Sequence, residues 1–156
     1  MHHNIKLLIM DVDGTMTDGK IYIGNNGEIM KAFSSKDGYG LNVLLKKAGI
    51  KTAIITGRTS QIVANRAKEV GISELYQGVT DKPSAMADML GKLNLTAQNV
   101  AYIGDDLNDL ECMKLCGVSA CPNDAHKAVK ECADFVCEHN GGHGAVRDFI
   151  DYLLSL

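Results

Sequence analysis

Residues 7–18 read Leu7-Leu8-Ile9-Met10-Asp11-Val12-Asp13-Gly14-Thr15-Met16-Thr17-Asp18. Four consecutive apolar residues, stopped by an acid and a glycine, predict a strand buried on both faces, as parallel sheets require. In open α/β sheets ligands gather beyond the carboxyl ends of strands, which is where Asp11 would stand. Asp11 and Asp13 leave the strand with one residue between them, so their carboxylates are expected to point the same way and share one hard cation. Such a cation would hold a phosphate against Asp11. A pair of turn aspartates explains the same residues without chemistry, so the weight falls on the rest of the chain.

Working outward, Lys20–Ile23 and Glu28–Phe33 flank the turn residues Gly24-Asn25-Asn26-Gly27 and predict a hairpin. Both arms are apolar and nothing nearby in sequence covers them, so the hairpin is expected to project and pair with another subunit. Ser34-Ser35-Lys36-Asp37-Gly38 reads as a polar loop before a helix over Tyr39–Ala48, with Leu41, Leu44, Leu45 and Ala48 as its buried stripe and Gly49 as its stop. Strand-then-helix units follow. Thr52–Ile55 leads to Thr56-Gly57-Arg58 and a helix capped by Thr59 or Ser60; Leu75-Tyr76 leads to Lys82 and a helix from Pro83. Val100–Ile103 leads to Gly104-Asp105-Asp106-Leu107-Asn108-Asp109 and a helix to Leu115. Val118–Ala120 and Phe135-Val136 read as short strands around a helix at Ala125–Glu131. Gly141-Gly142-His143-Gly144 precedes a last amphipathic helix over Ala145–Leu154. This alternation predicts an α/β fold with a doubly wound, mainly parallel, Rossmann-like sheet. The expected organisation is one domain over 1–156, with a hairpin insertion at about 20–33 and no lid domain.

Composition narrows the function classes. The chain has 156 residues, 46% hydrophobic and 22% charged, as soluble globular domains have. A net charge of -3 and the lack of a Lys/Arg cluster argue against nucleic acid. The apolar run near the start is too short for a membrane span, so a cytoplasmic protein is the expectation. His2 and His3 are given no role. The five cysteines, Cys112, Cys116, Cys121, Cys132 and Cys137, form no C-x-x-C pair and read as reduced thiols packed as small hydrophobes. Cys112 and Cys116 are one helical turn apart, but no His or Cys set completes a zinc site.

Four strand ends thus carry Asp11 with Asp13, Thr56, Lys82, and Asp105 with Asp106. Each alone has an ordinary structural explanation. In a parallel sheet these ends share one edge and can converge into a phosphoryl-transfer site: a nucleophile, carboxylates for a divalent cation, a hydroxyl for phosphate and a fixed positive charge. A carboxylate can itself be the nucleophile.

Asp11-Val12-Asp13-Gly14-Thr15, Thr56-Gly57-Arg58, Lys82 and Gly104–Asp109 together resemble the four motifs of the haloacid dehalogenase superfamily of phosphatases. The hairpin, Lys31-Ala32-Phe33 with Asp37-Gly38-Tyr39-Gly40, and Gly141–Asp148 narrow the resemblance to its lidless branch of 3-deoxy-D-manno-octulosonate (KDO) 8-phosphate phosphatases. The resemblance implies magnesium-dependent hydrolysis of an acidic sugar phosphate, in lipopolysaccharide precursor synthesis. A lidless site must exclude water some other way, so a homotetramer joined through the Lys20–Phe33 hairpins is expected. It makes Asp11 the nucleophile and Asp13 the general acid/base. Magnesium is expected on Asp11, Asp105 and the backbone carbonyl of Asp13, with Asp106 and Asp109 in support. Thr56 and Lys82 would hold the phosphoryl group. The expected substrate contacts are Ser34, Ser35, Lys36, Asp37, Gly38, Gly57, Arg58, Arg66 and Asn108. Arg58 and Arg66 are placed on one helix face, where arginine would take the sugar carboxylate.

Three rivals stand beside this reading. A phospho-receiver domain also clusters acids, a Thr and a Lys, but usually carries its phosphorylated Asp on a middle strand and needs no acid two residues on. A catalytically idle oligomerisation module would not need every chemical position intact. A phosphatase for the nine-carbon acid KDN 9-phosphate differs only near the sugar carboxylate, and an arginine at 58 favours the KDO type.

Overall fold

The computed structural model of the protein describes residues 4–156, so His2 and His3 lie outside the described residues. The described residues form eight strands, and from Lys51 onward each strand is followed by a helix. Leu7–Met10 (β1), Lys51–Ile55 (β4), Glu74–Tyr76 (β5), Val100–Ile103 (β6), Val118–Cys121 (β7) and Phe135–Val136 (β8) form one sheet in the order β5-β4-β1-β6-β7-β8. Every pairing in it is parallel, with Leu8 opposite Thr52 on one side and Ala101 on the other. The chain leaves β1 toward β4 and β5, then returns to build β6, β7 and β8 on the opposite flank. β1 is therefore the switch point of the sheet, where crossovers diverge and a crevice opens at the strand ends.

The apolar run of β1 is buried on both faces, and its alternation sorts it between two cores. Leu8 and Met10 pack with Leu41, Leu45, Val63, Val146 and Phe149. Leu7 and Ile9 pack with Met86, Met89, Leu90, Tyr102 and Met113. The helices supplying the first layer are Gln61–Glu69 (α3), Ala145–Ser155 (α7) and the helical stretch that starts at Ser35; Lys82–Leu93 (α4), Leu110–Leu115 (α5) and Lys127–Cys132 (α6) supply the second.

Two local expectations change. The polar segment after the hairpin is not a loop. Ser34 is an N-cap whose hydroxyl accepts from the Asp37 amide at 3.4 Å, and helix runs as Ser35–Tyr39 (α1), a π-helical segment Gly40–Leu45, and Lys46–Ala48 (α2). The wider π winding rotates the expected stripe: Leu41 and Leu45 are buried, Leu44 is half-buried and Ala48 is exposed. The reason lies far along the chain, because the Arg147 amide of α7 donates to Asp37 Oδ1 at 2.9 Å and holds the first turn in place.

The hairpin, Tyr22–Gly24 (β2) and Gly27–Met30 (β3), is a separate two-stranded sheet. Ile23, Ile29 and Met30 are exposed on it. Its base nevertheless folds onto its own chain, through Glu28 and Lys31.

Candidate active site

Asp11 follows the last residue of β1, and its amide donates to Ile103 O of β6 at 3.1 Å, so the carboxylate stands at the open end of the crevice. Beyond it the chain turns at once: the amides of Thr15, Met16 and Thr17 all donate to Val12 O. Gly14 adopts φ +92°, and a Cβ there would lie 2.0 Å from Asp105 Oδ2. Glycine is thus required both for the turn and for room beside the second carboxylate. The Gly141–Gly144 loop buttresses this turn from below, since the Gly142 amide donates to Thr15 O at 3.2 Å.

Oxygens of Asp11, Asp105 and Asp109 all lie within 4.8 Å of one another. Lys82, the first residue of α4, enters from the side with Nζ 3.0 Å from Asp11 Oδ1 and 2.8 Å from Asp109 Oδ1. Burial pulls the lysine's pKa down, but the two carboxylates outweigh it and raise it above the ordinary value. It is a fixed charge. Burial pushes the Asp11 pKa up, Asp109 adds to that, and Lys82 only partly offsets them. Asp105 is raised to about 8, by burial first and then by the Asp11 charge.

Asp109 is fully occupied. Its Oδ1 accepts from Lys82 and from Tyr102 Oη at 2.8 Å, and its Oδ2 accepts from the amides of Asp105 at 3.0 Å and Asp106 at 3.2 Å. It orients Lys82 and the Asp105 loop, which leaves Asp11 and Asp105 as the carboxylates with unmet charge. Two crowded, half-compensated acids suit a hard divalent cation.

Asp11 and Asp13 line one cavity, but the acid cluster gathers Asp11, Asp105 and Asp109 without the Asp13 carboxylate. The turn at Val12–Thr17 ends the strand's alternation, and the Asp13 carboxylate faces Lys31 Nζ at 2.5 Å instead of the acid cluster. Asp106 caps its own turn, accepting from the Leu107 amide at 2.8 Å.

Asp11, Asp13, Thr56, Gly57, Arg58, Asp106 and Asn108 line one open cavity of about 190 Å³. Thr56 is buried, with its backbone bonded to Tyr76 and Val79, and its hydroxyl makes no hydrogen bond among the described residues. Arg58 lies in the loop before the Ser60 N-cap of α3, so it shares no helix face with Arg66. Its side chain is 48% exposed, with Nη2 4.0 Å from Glu28 Oε2. Arg66 instead pairs with Glu69 at 2.8 Å and donates to Ser34 O at 3.2 Å. With Ser35 and Gly38 it lines a different cavity of about 340 Å³, while Asp37 is buried against α7 and Lys36 is exposed.

Several residues that the sequence gives no role at the site contribute to it. Thr15 Oγ1 donates to Asp105 Oδ1 at 3.1 Å, Tyr102 anchors Asp109, and Lys31, Glu28 and Ser60 form a chain from Asp13 to α3. Thr15 stands inside the Asp11–Thr15 motif and Lys31 opens the Lys31-Ala32-Phe33 segment. Nothing local marks Tyr102, which reads as one more apolar strand residue.

Residues 68–150 match the family of haloacid dehalogenase-like hydrolases. The chain is 49% identical over 151 residues to the 3-deoxy-D-manno-octulosonate 8-phosphate phosphatase KdsC of Escherichia coli K12, covering 97% of this chain and 80% of that one. The crystal structure of the Yersinia pestis 3-deoxy-D-manno-octulosonate 8-phosphate phosphatase superposes with TM-score 0.94 at 46% identity, over 99% of this chain and 83% of that one. That of the Moraxella catarrhalis enzyme, in complex with a magnesium ion, a phosphate ion and KDO, gives 0.94 at 41% identity, over 99% and 88%. By sequence and by fold, the chain belongs to the haloacid dehalogenase-like hydrolases and, within them, to the family of the 3-deoxy-D-manno-octulosonate 8-phosphate phosphatases.

Proposed function

We propose that this protein hydrolyses KDO 8-phosphate to KDO and phosphate through an aspartyl phosphate on Asp11, as a cytoplasmic step toward lipopolysaccharide. The observation that carries the reading is the convergence of Asp11, Asp13, Thr56 and Arg58 on one cavity, with Lys82 locked behind Asp11.

A magnesium ion held by Asp11, Asp105 and the Asp13 carbonyl would supply positive charge against the phosphoryl oxygens. The Asp11 carboxylate attacks phosphorus; the bond from phosphorus to the sugar oxygen breaks, and Asp13 gives that oxygen its proton. Water then attacks phosphorus, passes a proton to Asp13, and releases Asp11 and phosphate. Thr56 donates its free hydroxyl to a phosphoryl oxygen, and Lys82 keeps Asp11 oriented while its charge offsets the charge that builds. Gly57, Asp106 and Asn108 line the same cavity.

Arg58 lines the cavity, which supports reading it as the partner of the sugar carboxylate. Arg66 and the Ser34–Gly38 segment stand outside the cavity and would reach the sugar acid only from a neighbouring subunit. The exposed Ile23, Ile29 and Met30 support a homotetramer formed through the hairpins around the single domain over 1–156. Among the described residues no helix is long and apolar enough to cross a membrane. Sedimentation showing an active monomer would refute the assembly.

The substrate is tested by Arg58→Ala on KDO 8-phosphate, KDN 9-phosphate and an aryl phosphate in parallel. Losing a charged hydrogen bond costs about 1.5–3 kcal/mol, so kcat/KM for KDO 8-phosphate should fall roughly ten- to a hundredfold and that for the aryl phosphate much less. Equal losses on all three would take Arg58 away from the carboxylate. A wild-type preference for KDN 9-phosphate would move the assignment to the nine-carbon sugar.

A further inference from the structure

Lys31 follows β3 directly, yet its side chain is only 2% exposed. Its ammonium lies between two acids, 2.5 Å from Asp13 Oδ1 and 3.1 Å from Glu28 Oε2. Glu28 is braced in turn: its Oε1 accepts a short hydrogen bond from Ser60 Oγ, and its Oε2 faces Arg58. Ser60 is fixed as the N-cap of α3 and donates its amide to Gln77 Oε1 at 2.8 Å. A continuous polar chain therefore runs from the body of the protein, through the hairpin, to Asp13.

A surface lysine would sample many rotamers beside a carboxylate and fix nothing. This one is stripped of water and pinned on both sides, so it has one place to stand. It binds a single oxygen of Asp13. Among the described residues no hydrogen bond reaches Oδ2, which stays free on a side chain that lines the cavity. The hairpin belongs to no larger sheet, and a lone two-stranded ribbon is marginal in water. Its contacts to Asp13 and Ser60 thus tether the ribbon as well as the acid.

We propose that Lys31, braced by Glu28, is the positioning residue for Asp13: it holds Oδ1 so that Oδ2 faces the oxygen that gains or loses the proton. The proposal rests on the reading of Asp13 as proton donor to the leaving sugar and proton acceptor from water. Lys31 itself does not touch substrate. It makes the hairpin part of the proton-transfer machinery of its own chain, separately from any contact the ribbon makes with a neighbour.

The test separates positioning from folding by leaving group. A sugar alkoxide needs a proton to depart, whereas p-nitrophenolate does not; dephosphorylation needs Asp13 with either substrate. General acid–base catalysis contributes roughly 10²–10⁴-fold, so Lys31→Met should lower kcat on KDO 8-phosphate about a hundredfold, with KM changed less than about threefold. With p-nitrophenyl phosphate the first turnover should stay within about threefold of wild type and then stall, as a burst near one nitrophenolate per active site. Lys31→Arg, which keeps charge and donors, should recover at least about a tenth of wild-type kcat. Equal losses on both substrates with no burst, or an unchanged kcat, would overturn the proposal. If Lys31→Met does not fold, Glu28→Gln loosens the other end of the ammonium and should show the same split at about tenfold; no split there overturns it too. A burst that persists in Asp11→Asn would instead refute the aspartyl phosphate beneath the proposal.

Discussion

Lys82 Nζ lies 3.0 Å from Asp11 Oδ1, and the two side chains are 1% and 9% exposed, so the first residue of one helix is committed to the acid that follows the central strand. Asp109 closes the arrangement from the other side of the same ammonium, and Tyr102 and two backbone amides hold Asp109. Such a cluster is rigid because every member but Asp11 and Asp105 has its charge or hydrogen bonds met.

Lys82→Met should therefore do two separable things. It removes the fixed positive charge behind the nucleophile, and loss of one preorganised group of this kind lowers kcat about 10²–10³-fold. It also leaves Asp109 buried without its cation, which costs about 3–5 kcal/mol in urea unfolding of the metal-free protein. A variant with wild-type kcat would remove Lys82 from the phosphoryl site.

The acid cluster makes stability depend on pH in a stated direction. Asp105 is raised from the ordinary 3.8 to about 8 by burial and the Asp11 charge. Between those values the folded chain holds a proton that the unfolded chain has lost, so stability falls as pH rises and levels off above the upper value. Asp11 shifts in the same direction. In EDTA the melting temperature should drop from pH 5 to pH 8, and the gain on adding magnesium should be larger at pH 8 than at pH 5, because the cation replaces the proton. Scanning fluorimetry at both pH values checks this, and a gain favouring pH 5 would contradict it.

Gly14→Ala tests the turn that brings the two carboxylates together. The new methyl would stand 2.0 Å from Asp105 Oδ2 at a backbone φ of +92°, so Asp105 must move away from Asp11. Disturbing the support of a metal ligand typically costs 10–100-fold in affinity, and magnesium affinity by calorimetry should weaken by about that factor. Unchanged affinity would mean that Asp105 does not hold the metal from this position.

Much of the fold could be read from local pattern. The buried strands are short apolar runs ending in polar punctuation, and those runs by themselves place Asp11, Thr56 and Asp105 at strand ends. The helix from Ser35 was hidden because Asp37 and Gly38 are turn residues by local habit. A backbone amide from α7, 110 residues away, overrides that habit. The pairing of Arg58 with Arg66 failed for a related reason: spacing by helical turns holds only inside one helix, and the helix begins at Gln61.

The sequence by itself determined the strand–helix order, the parallel sheet and the family, because these follow from periodicity and from side chains fixed relative to strand ends. Only the tertiary structure decided which acid faces which cation. Asp13 faces Lys31, Asp109 takes Lys82 and Tyr102, and Arg66 turns away to Glu69 and Ser34. The partners in those pairs that define the site come from different elements, so their meeting depends on how sheet, hairpin and helices pack. Burial then gives Lys31, Lys82 and Asp109 few places to go, a constraint that no local stretch of sequence contains.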